Sequence, residues 1–424
     1  MAWDASQFSL ADFYYSDSDS PLTPPADYLA WRRDTAWATS LYEPMLCDPA
    51  GPTNRLRTAT GEQRVINMTS YGYLGLVRHP KVIAAAKQAL DDYGTGACGS
   101  PILSGKSPLH QELEIKLSAL TGYPSVLVFN SGFGGALGCA SGLMRKGDVA
   151  IVDARAHISM VDGLKIGGAK IAFFEHNSAR ALDEVLSAHK GARRLIFVDG
   201  LYSMDGDMAD LPALLDVAGS HGVGILVDEA HSFLCCGANG GGVVEHFGAR
   251  GKVGVQYGTL SKAFSCGGGF AAASTDLIEY LRFYANTYGF TCALPPSVVA
   301  AASAVIDVMQ TETWRRTQLW ENATYFRTQL QSLGINTGES TSYVVPIVVG
   351  ENRALLYELG HKLREHGLFV TPVDYPTVAL DQARFRASVT ASHTRELLDQ
   401  ALQIIEDVFV PAMREKGLLL ARAL

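Results

Sequence analysis

RLIFVDG (194–200) and GILVDEA (224–230) are two apolar, β-branched runs, each reaching an aspartate at its end, with a helical pattern between them. The same alternation starts upstream with VLVF (126–129) and VAIVD (149–153). Buried β-rich runs separated by helices read as a parallel sheet covered on both faces, an α/β fold. Ligands of such sheets bind beyond the carboxyl ends of the strands, so the residues just after each run are where chemistry is expected. Downstream of about residue 305 the pattern changes to long charged helices, followed by VVPIVVG (344–350), LFVTPV (368–373) and RFRASVT (384–390). These predict a second, smaller α+β domain. Upstream, SDSDSPLTPPA (16–26) is polar and Pro-rich and predicts a mobile or extended lead-in. The expected division is an N-terminal arm over 1–66, a large domain over 67–304 and a small C-terminal domain over 305–424, with no internal repeat of fixed period.

Composition narrows the classes. The chain has 424 residues, 47% of them hydrophobic, enough for a sizeable core. Its 35 basic and 43 acidic residues give a net charge of −8, and no Lys/Arg run is present to track a phosphate backbone. Nucleic acid is therefore not an expected partner. The first fifteen residues carry Asp4 and Asp12 and lack a basic start followed by an apolar run, so no export signal is read there. No apolar stretch is long enough to cross a bilayer. The seven cysteines are scattered without C-x-x-C spacing, which fits a reducing cytoplasm and no metal site.

Three segments carry chemistry. VLVFNSGFGGALG places Ser131, Gly132 and Phe133 between a buried strand and a Gly-rich helix start, where free N–H groups and the helix dipole suit a phosphate. A Gly-rich turn of this kind is also a common tight connection. In GILVDEAHS, Asp228 leaves a strand end and His231 follows one turn on. An acid so placed suits a protonated heterocyclic nitrogen such as the pyridinium of pyridoxal phosphate (PLP). A turn-capping Asp and a backbone-satisfied His would look the same. In YGTLSKAFSCGGGF, Lys262 stands between apolar Leu260 and Phe264 and ahead of Gly267 to Gly269. A partly desolvated amine is what Schiff-base formation needs, whereas a lone Lys is ordinarily a solvated charge. Thr259 and Ser261 offer hydroxyls to the same phosphate. The order of phosphate loop, strand-end Asp and then Lys is specific where each part alone is modest.

From about Asn67 to Thr394 the chain resembles the α-oxoamine synthases of the fold-type I PLP enzymes, whose members include 8-amino-7-oxononanoate synthase and serine palmitoyltransferase. The resemblance rests on YLGLVRHP, YGTGACGSPILSGKSPLHQELE, SMDGD, VDEAHS, TLSKAF, the GGGF run, LPP (294–296), YPTV, RFR and HT. It implies a PLP-binding large domain with a mostly parallel sheet, and Lys262 carrying the cofactor as a Schiff base with Asp228 on its ring nitrogen. It further implies that His157 stacks on the ring, His231 partners the phenolic oxygen and Ser203 lines the pocket. Arg386 would grip the amino-acid carboxylate, for which a bidentate fork is suited. The resemblance makes the protein a two-fold homodimer in which Thr291 reaches the phosphate of the neighbouring subunit.

Two departures bear on substrate. The segment before YLGL holds an Asn in the family but reads Ser70, Tyr71, Gly72, Tyr73 here, and the usual Gly-Ser-Arg reads Gly99, Ser100, Pro101. Tyr71 and Gly72 therefore stand where substrate is held, and the nearest flavour is the members that serve natural-product or lipid assembly. The expected reaction is decarboxylative Claisen condensation of a small L-amino acid with an acyl thioester, on coenzyme A or a carrier protein, giving an α-amino ketone, carbon dioxide and free thiol. Rival readings are another PLP reaction, transamination or aldol cleavage, and a catalytically silent dimeric scaffold.

Overall fold

The computed structural model describes residues 18, 20–58 and 61–419; the first fifteen residues, read above for an export signal, and residues 16, 17 and 19 of the lead-in lie outside the described residues. The chain divides into two compact units. The larger consists of Tyr71–Ser203 and Asp207–Leu319, and the smaller of the described residues up to Ser70, Met204–Gly206 and the chain from Trp320 onward.

The larger unit is built on a seven-stranded sheet in the order Ser125–Phe129, Gly269–Ala273, Val255–Thr259, Gly224–Asp228, Arg194–Asp199, Val149–Asp153, Lys170–Phe174. All neighbours are parallel except Gly269–Ala273, which runs antiparallel to both of its partners. Successive side chains of a strand point to opposite faces, and here both faces are covered, which is why the strands read as unbroken apolar runs. On one face Leu127, Phe129, Ala150, Val152, Leu226, Val255 and Tyr257 pack in a single core with the helices Gly132–Leu143, Ile158–Gly167 and Thr275–Tyr284. Three strands stand beyond those expected. Lys170–Phe174 is a half-exposed edge, Val255–Thr259 carries a buried Gln256, and Gly269–Ala273 is made of small residues.

The smaller unit holds two three-stranded sheets, Thr53–Thr58 with Gly61–Asn67 and Leu368–Phe369, and Val344–Gly350 with Ala383–Ser388 and Thr371–Val373. LFVTPV is thus divided between two sheets. The unit edges differ from the 66/67 and 304/305 boundaries. Gly61–Asn67 pairs in parallel with Leu368–Phe369, so these residues are integral to the smaller unit rather than an arm. The continuous helix Pro296–Thr311 runs across position 304, so its last turns stay in the larger unit. Met204–Gly206 belongs with the smaller unit, where Arg384 Nη1 donates to Asp205 Oδ1 at 2.7 Å. Among the described residues no helix is long and apolar enough to cross a membrane.

Candidate active site

The phosphate loop is assembled from two strand ends. Ser131 caps the helix Gly132–Leu143, its Oγ accepting from the Gly134 N–H at 3.2 Å. The Tyr257 hydroxyl, rising from the neighbouring part of the sheet, donates to the Gly132 carbonyl. A Cβ at position 132 would collide with Thr259 Oγ1, so only glycine lets the helix start lie against that threonine. Thr259 Oγ1 stands 2.8 Å from Ser261 Oγ and donates to the Gly268 carbonyl at 3.1 Å. Helix-start N–H groups and two hydroxyls therefore converge, an arrangement that attracts an anion. Phe133 is half-exposed and meets the His157 ring edge-on at 6.4 Å, which brings the loop and His157 together.

Asp228 ends its strand in register with Asp199 of the neighbouring strand. It is buried, its Oδ1 accepts from the Ala230 N–H at 2.8 Å, and among the described residues no protein group hydrogen-bonds its Oδ2. Burial raises the Asp228 carboxyl above its ordinary value, and the positive charges of Lys262 and His157 oppose that rise. Asp199 is pushed well up too, by burial and then by the Asp228 charge. The His157 backbone N–H donates to Asp199 Oδ1 at 3.2 Å, and its ring Nδ1 lies 2.8 Å from Ser159 Oγ. Burial lowers the His157 imidazole, with Asp228 opposing and Lys262 reinforcing the shift.

Lys262 sits in a loop closed by bonds from Leu260 N–H to Gly268 O at 2.9 Å and from Ser265 N–H to Lys262 O at 2.8 Å. Leu260 and Phe264 are fully buried beside it, and its Nζ lies 2.8 Å from His231 Nε2. His231 Nδ1 in turn lies 2.8 Å from the hydroxyl of Tyr73. Tyr71 meets the same imidazole edge-on at 6.1 Å, so the YGY segment containing Gly72 borders His231.

The structure thus gathers Ser131, Gly132, Phe133, His157, Asp228, His231, Thr259, Ser261, Lys262 and Tyr71 at strand ends of one unit. Thr291 joins them through Asn130, whose side-chain amide donates to the Thr291 hydroxyl and, at 2.9 Å, to the Cys292 carbonyl of the same chain. Ser203 is half-buried in the turn after the strand Arg194–Asp199. Arg386 lies in the smaller unit, buried on the strand Ala383–Ser388, with Nη1 3.2 Å from Ser388 Oγ. Tyr73, Asn130, Tyr257 and Asp199 were not foreseen. Only Asp199 had a signal, since RLIFVD ends in aspartate as GILVD does.

Residues 63–405 match the family described as Aminotransferase class I and II. The chain is 38% identical over 366 residues to the 8-amino-7-oxononanoate synthase of Thermoanaerobacter pseudethanolicus, covering 86% of this chain and 91% of that one. The protein is an α-oxoamine synthase. The synthase is also 42% identical over 351 residues to 4-hydroxy-2,2'-bipyrrole-5-methanol synthase PigH of a Serratia species, covering 82% of this chain but only 53% of PigH. An alanine variant of the serine palmitoyltransferase of S. paucimobilis, solved with a bound PLP–myriocin aldimine, superposes with a TM-score of 0.87 at 33% identity, over 93% of this chain and 98% of that one.

The synthase is a PLP-dependent acyltransferase of the fold-type I class. The residues present fit the cofactor. A buried carboxylate with an oxygen left over by the protein suits a protonated ring nitrogen, the helix start with Thr259 and Ser261 suits a phosphate, and the Lys262 amine suits an aldehyde.

Proposed function

We propose that the synthase joins a small L-amino acid to an acyl thioester, with release of carbon dioxide and free thiol, to give an α-amino ketone. The observation that carries this reading is the strand-end cluster itself, an amine held by His231 together with a buried carboxylate whose Oδ2 takes no protein donor among the described residues.

In this reading Lys262 bears the cofactor and Asp228 holds its ring nitrogen protonated. His157 covers the ring, while His231 and Ser203 line the pocket. The N–H groups of the Ser131–Phe133 helix start and the hydroxyls of Thr259 and Ser261 hold the phosphate. Bound PLP supplies an electron sink for the pair left when a bond at the amino acid's α-carbon is broken. Arg386 grips the α-carboxylate with its planar fork and so fixes which bond at the α-carbon faces the base. Lys262 Nζ takes the α-proton and later returns a proton to the product. Gly72 offers neither bulk nor a side-chain donor, which supports acceptance of amino acids larger than glycine.

A second copy of the chain belongs to this proposal. Leu103 is 84% and Phe290 88% exposed. Their loops are joined by a hydrogen bond from Ala293 N–H to Gly99 O, and Phe290 precedes Thr291. Exposed apolar groups clustered beside a site mark a contact surface. We take the partner to be the same chain, with Thr291 reaching the neighbouring phosphate.

The test is isotopic. Amino acid alone in deuterated water exchanges its α-hydrogen, and carbon dioxide and thiol appear in equal amounts only when both substrates are present. A 2-oxo acid formed without thiol overturns the condensation. Product mass spectrometry over a matrix of amino acids and acyl thioesters, on coenzyme A and on a carrier protein, identifies both partners.

A further inference from the structure

The reading of Lys262 leaves open how its amine becomes able to attack. An ammonium has three N–H donors and no lone pair, so it cannot add to a carbonyl. The Lys262 side chain is partly buried, and its Nζ touches a base, His231 Nε2, at 2.8 Å. An ammonium in that contact can only donate, so Nε2 must be the bare nitrogen of the ring. The proton of the neutral imidazole then resides on Nδ1. Nδ1 faces the hydroxyl of Tyr73 at 2.8 Å, and an N–H at that distance requires the phenol oxygen as its acceptor.

Tyr73 is suited to impose this state. Its side chain is fully buried. A hydrogen bond from its backbone N–H to the Tyr71 carbonyl at 2.8 Å, and one from the Gly75 N–H to the Gly72 carbonyl at 2.9 Å, fold the segment tightly around it. A phenol oxygen so fixed accepts from Nδ1–H both before and after His231 gains a second proton.

We propose that Tyr73 is a positioning residue that holds His231 in its Nδ1–H tautomer, so that Nε2 takes the proton from Lys262 and frees the amine for linkage to the cofactor. One N–H bond breaks at Nζ, one forms at Nε2, and the electron pair stays on Nζ. The resulting imidazolium donates from Nε2 to the neutral amine and from Nδ1 to Tyr73. Without the phenol oxygen, Nδ1–H has lost this acceptor. The alternative tautomer would then point Nε2–H at the ammonium, donor against donor.

This inference rests on Lys262 being the cofactor-bearing amine, and the experiment separates the two. PLP is removed from the full-length protein and added back in excess, and growth of the visible band of the lysine-linked cofactor is followed by stopped flow. Tyr73→Phe is expected to slow that growth about tenfold or more, the scale of one lost buried hydrogen bond. PLP affinity measured in the Lys262→Ala background, where no link forms, is expected to be the same with and without Tyr73→Phe. In ¹⁵N-histidine-labelled apoprotein the His231 signal, assigned with His231→Asn, is expected to report Nδ1–H, and Tyr73→Phe to shift it towards Nε2–H. A wild-type signal reporting Nε2–H, or a Tyr73→Phe protein that links PLP at the wild-type rate, overturns the role of Tyr73. A visible band that survives in Lys262→Ala overturns instead the reading of Lys262.

Discussion

His176 carries a prediction whose size follows from its surroundings. Its Nδ1 lies 2.9 Å from Asp153 Oδ1 and its Nε2 2.9 Å from Asp207 Oδ2, with the Tyr202 ring edge-on at 4.3 Å. Burial disfavours the charged ring, but the hydrogen bonds and charges of the two carboxylates outweigh it and hold the imidazolium up to about 9. The ordinary value is 6.5. Because the folded value lies above the unfolded one, the stabilisation is complete below pH ~6.5 and falls as pH rises, until it is lost above ~9. A span of roughly two and a half units corresponds to about 3 kcal/mol. The His176 side chain is only 12% exposed, so solvent screening removes little of this. Urea unfolding of wild type and His176→Gln at pH 6 and pH 9.5 isolates this contribution, since titrations common to both proteins cancel. The wild-type advantage should be present at pH 6 and shrink by about 3 kcal/mol at pH 9.5. Asp207 O also accepts from Tyr202 N–H at 3.0 Å, closing the turn that contains Ser203. Faster hydrogen exchange across residues 200–208 should therefore accompany the loss. An advantage that stays constant between the two pH values would refute the charged bridge.

Asp228→Asn should keep the fold yet slow α-hydrogen exchange about a hundredfold or more, since it removes a preorganised charge; near-normal exchange by NMR would contradict the role of Asp228. Gly132→Ala forces Thr259 off its hydrogen bonds, and overpacking of this kind costs about 1–3 kcal/mol. PLP affinity by fluorescence titration should drop by roughly tenfold, and an unchanged affinity would mean that the loop does not hold the phosphate. Mixed dimers of Lys262→Ala and Thr291→Ala subunits should regain activity, because one site then receives an intact Lys262 from one chain and an intact Thr291 from the other. Failure of the mixture, with each parent shown to exchange subunits, would assign Thr291 to the site of its own chain.

The strands legible in the sequence were those buried on both faces, because an unbroken apolar run survives there, as in VAIVD and GILVD. Those missed had lost that signature for separate reasons. Gly269–Ala273 contains no β-branched residue, and Val255–Thr259 is interrupted by Gln256, which is buried because its amide donates to Gly241 O at 2.7 Å and to Glu229 Oε1 at 3.3 Å. The antiparallel pair Thr53–Thr58 and Gly61–Asn67 finds its third strand at Leu368–Phe369, a separation that no local pattern encodes. The site divides in the same way. Lys262, Asp228 and the Ser131 loop were legible because each stands at a fixed offset from a strand. Tyr73 was not, because its meaning comes entirely from a hydroxyl meeting His231 across 158 residues of chain.

The strand ends also explain why one aspartate among three is available to a cofactor. Val149–Asp153, Arg194–Asp199 and Gly224–Asp228 all close on aspartate at the same edge of the sheet. Asp153 is committed to His176 and to the Asn177 N–H, and those contacts hold its carboxyl below the ordinary range despite burial. Asp199 is pushed well up by burial and by the Asp228 charge, and it accepts from the His157 N–H. Of the three, Asp228 combines burial, the nearby charge of Lys262, and an Oδ2 that takes no donor among the described residues. A protonated ring nitrogen brought to that oxygen would complete its hydrogen bonding and lower its carboxyl. The identical terminal residue on three parallel strands thus stands in three settings: Asp153 bridged to His176, Asp199 accepting from the His157 N–H, and Asp228 with the oxygen that the proposed reading gives to the cofactor's ring nitrogen.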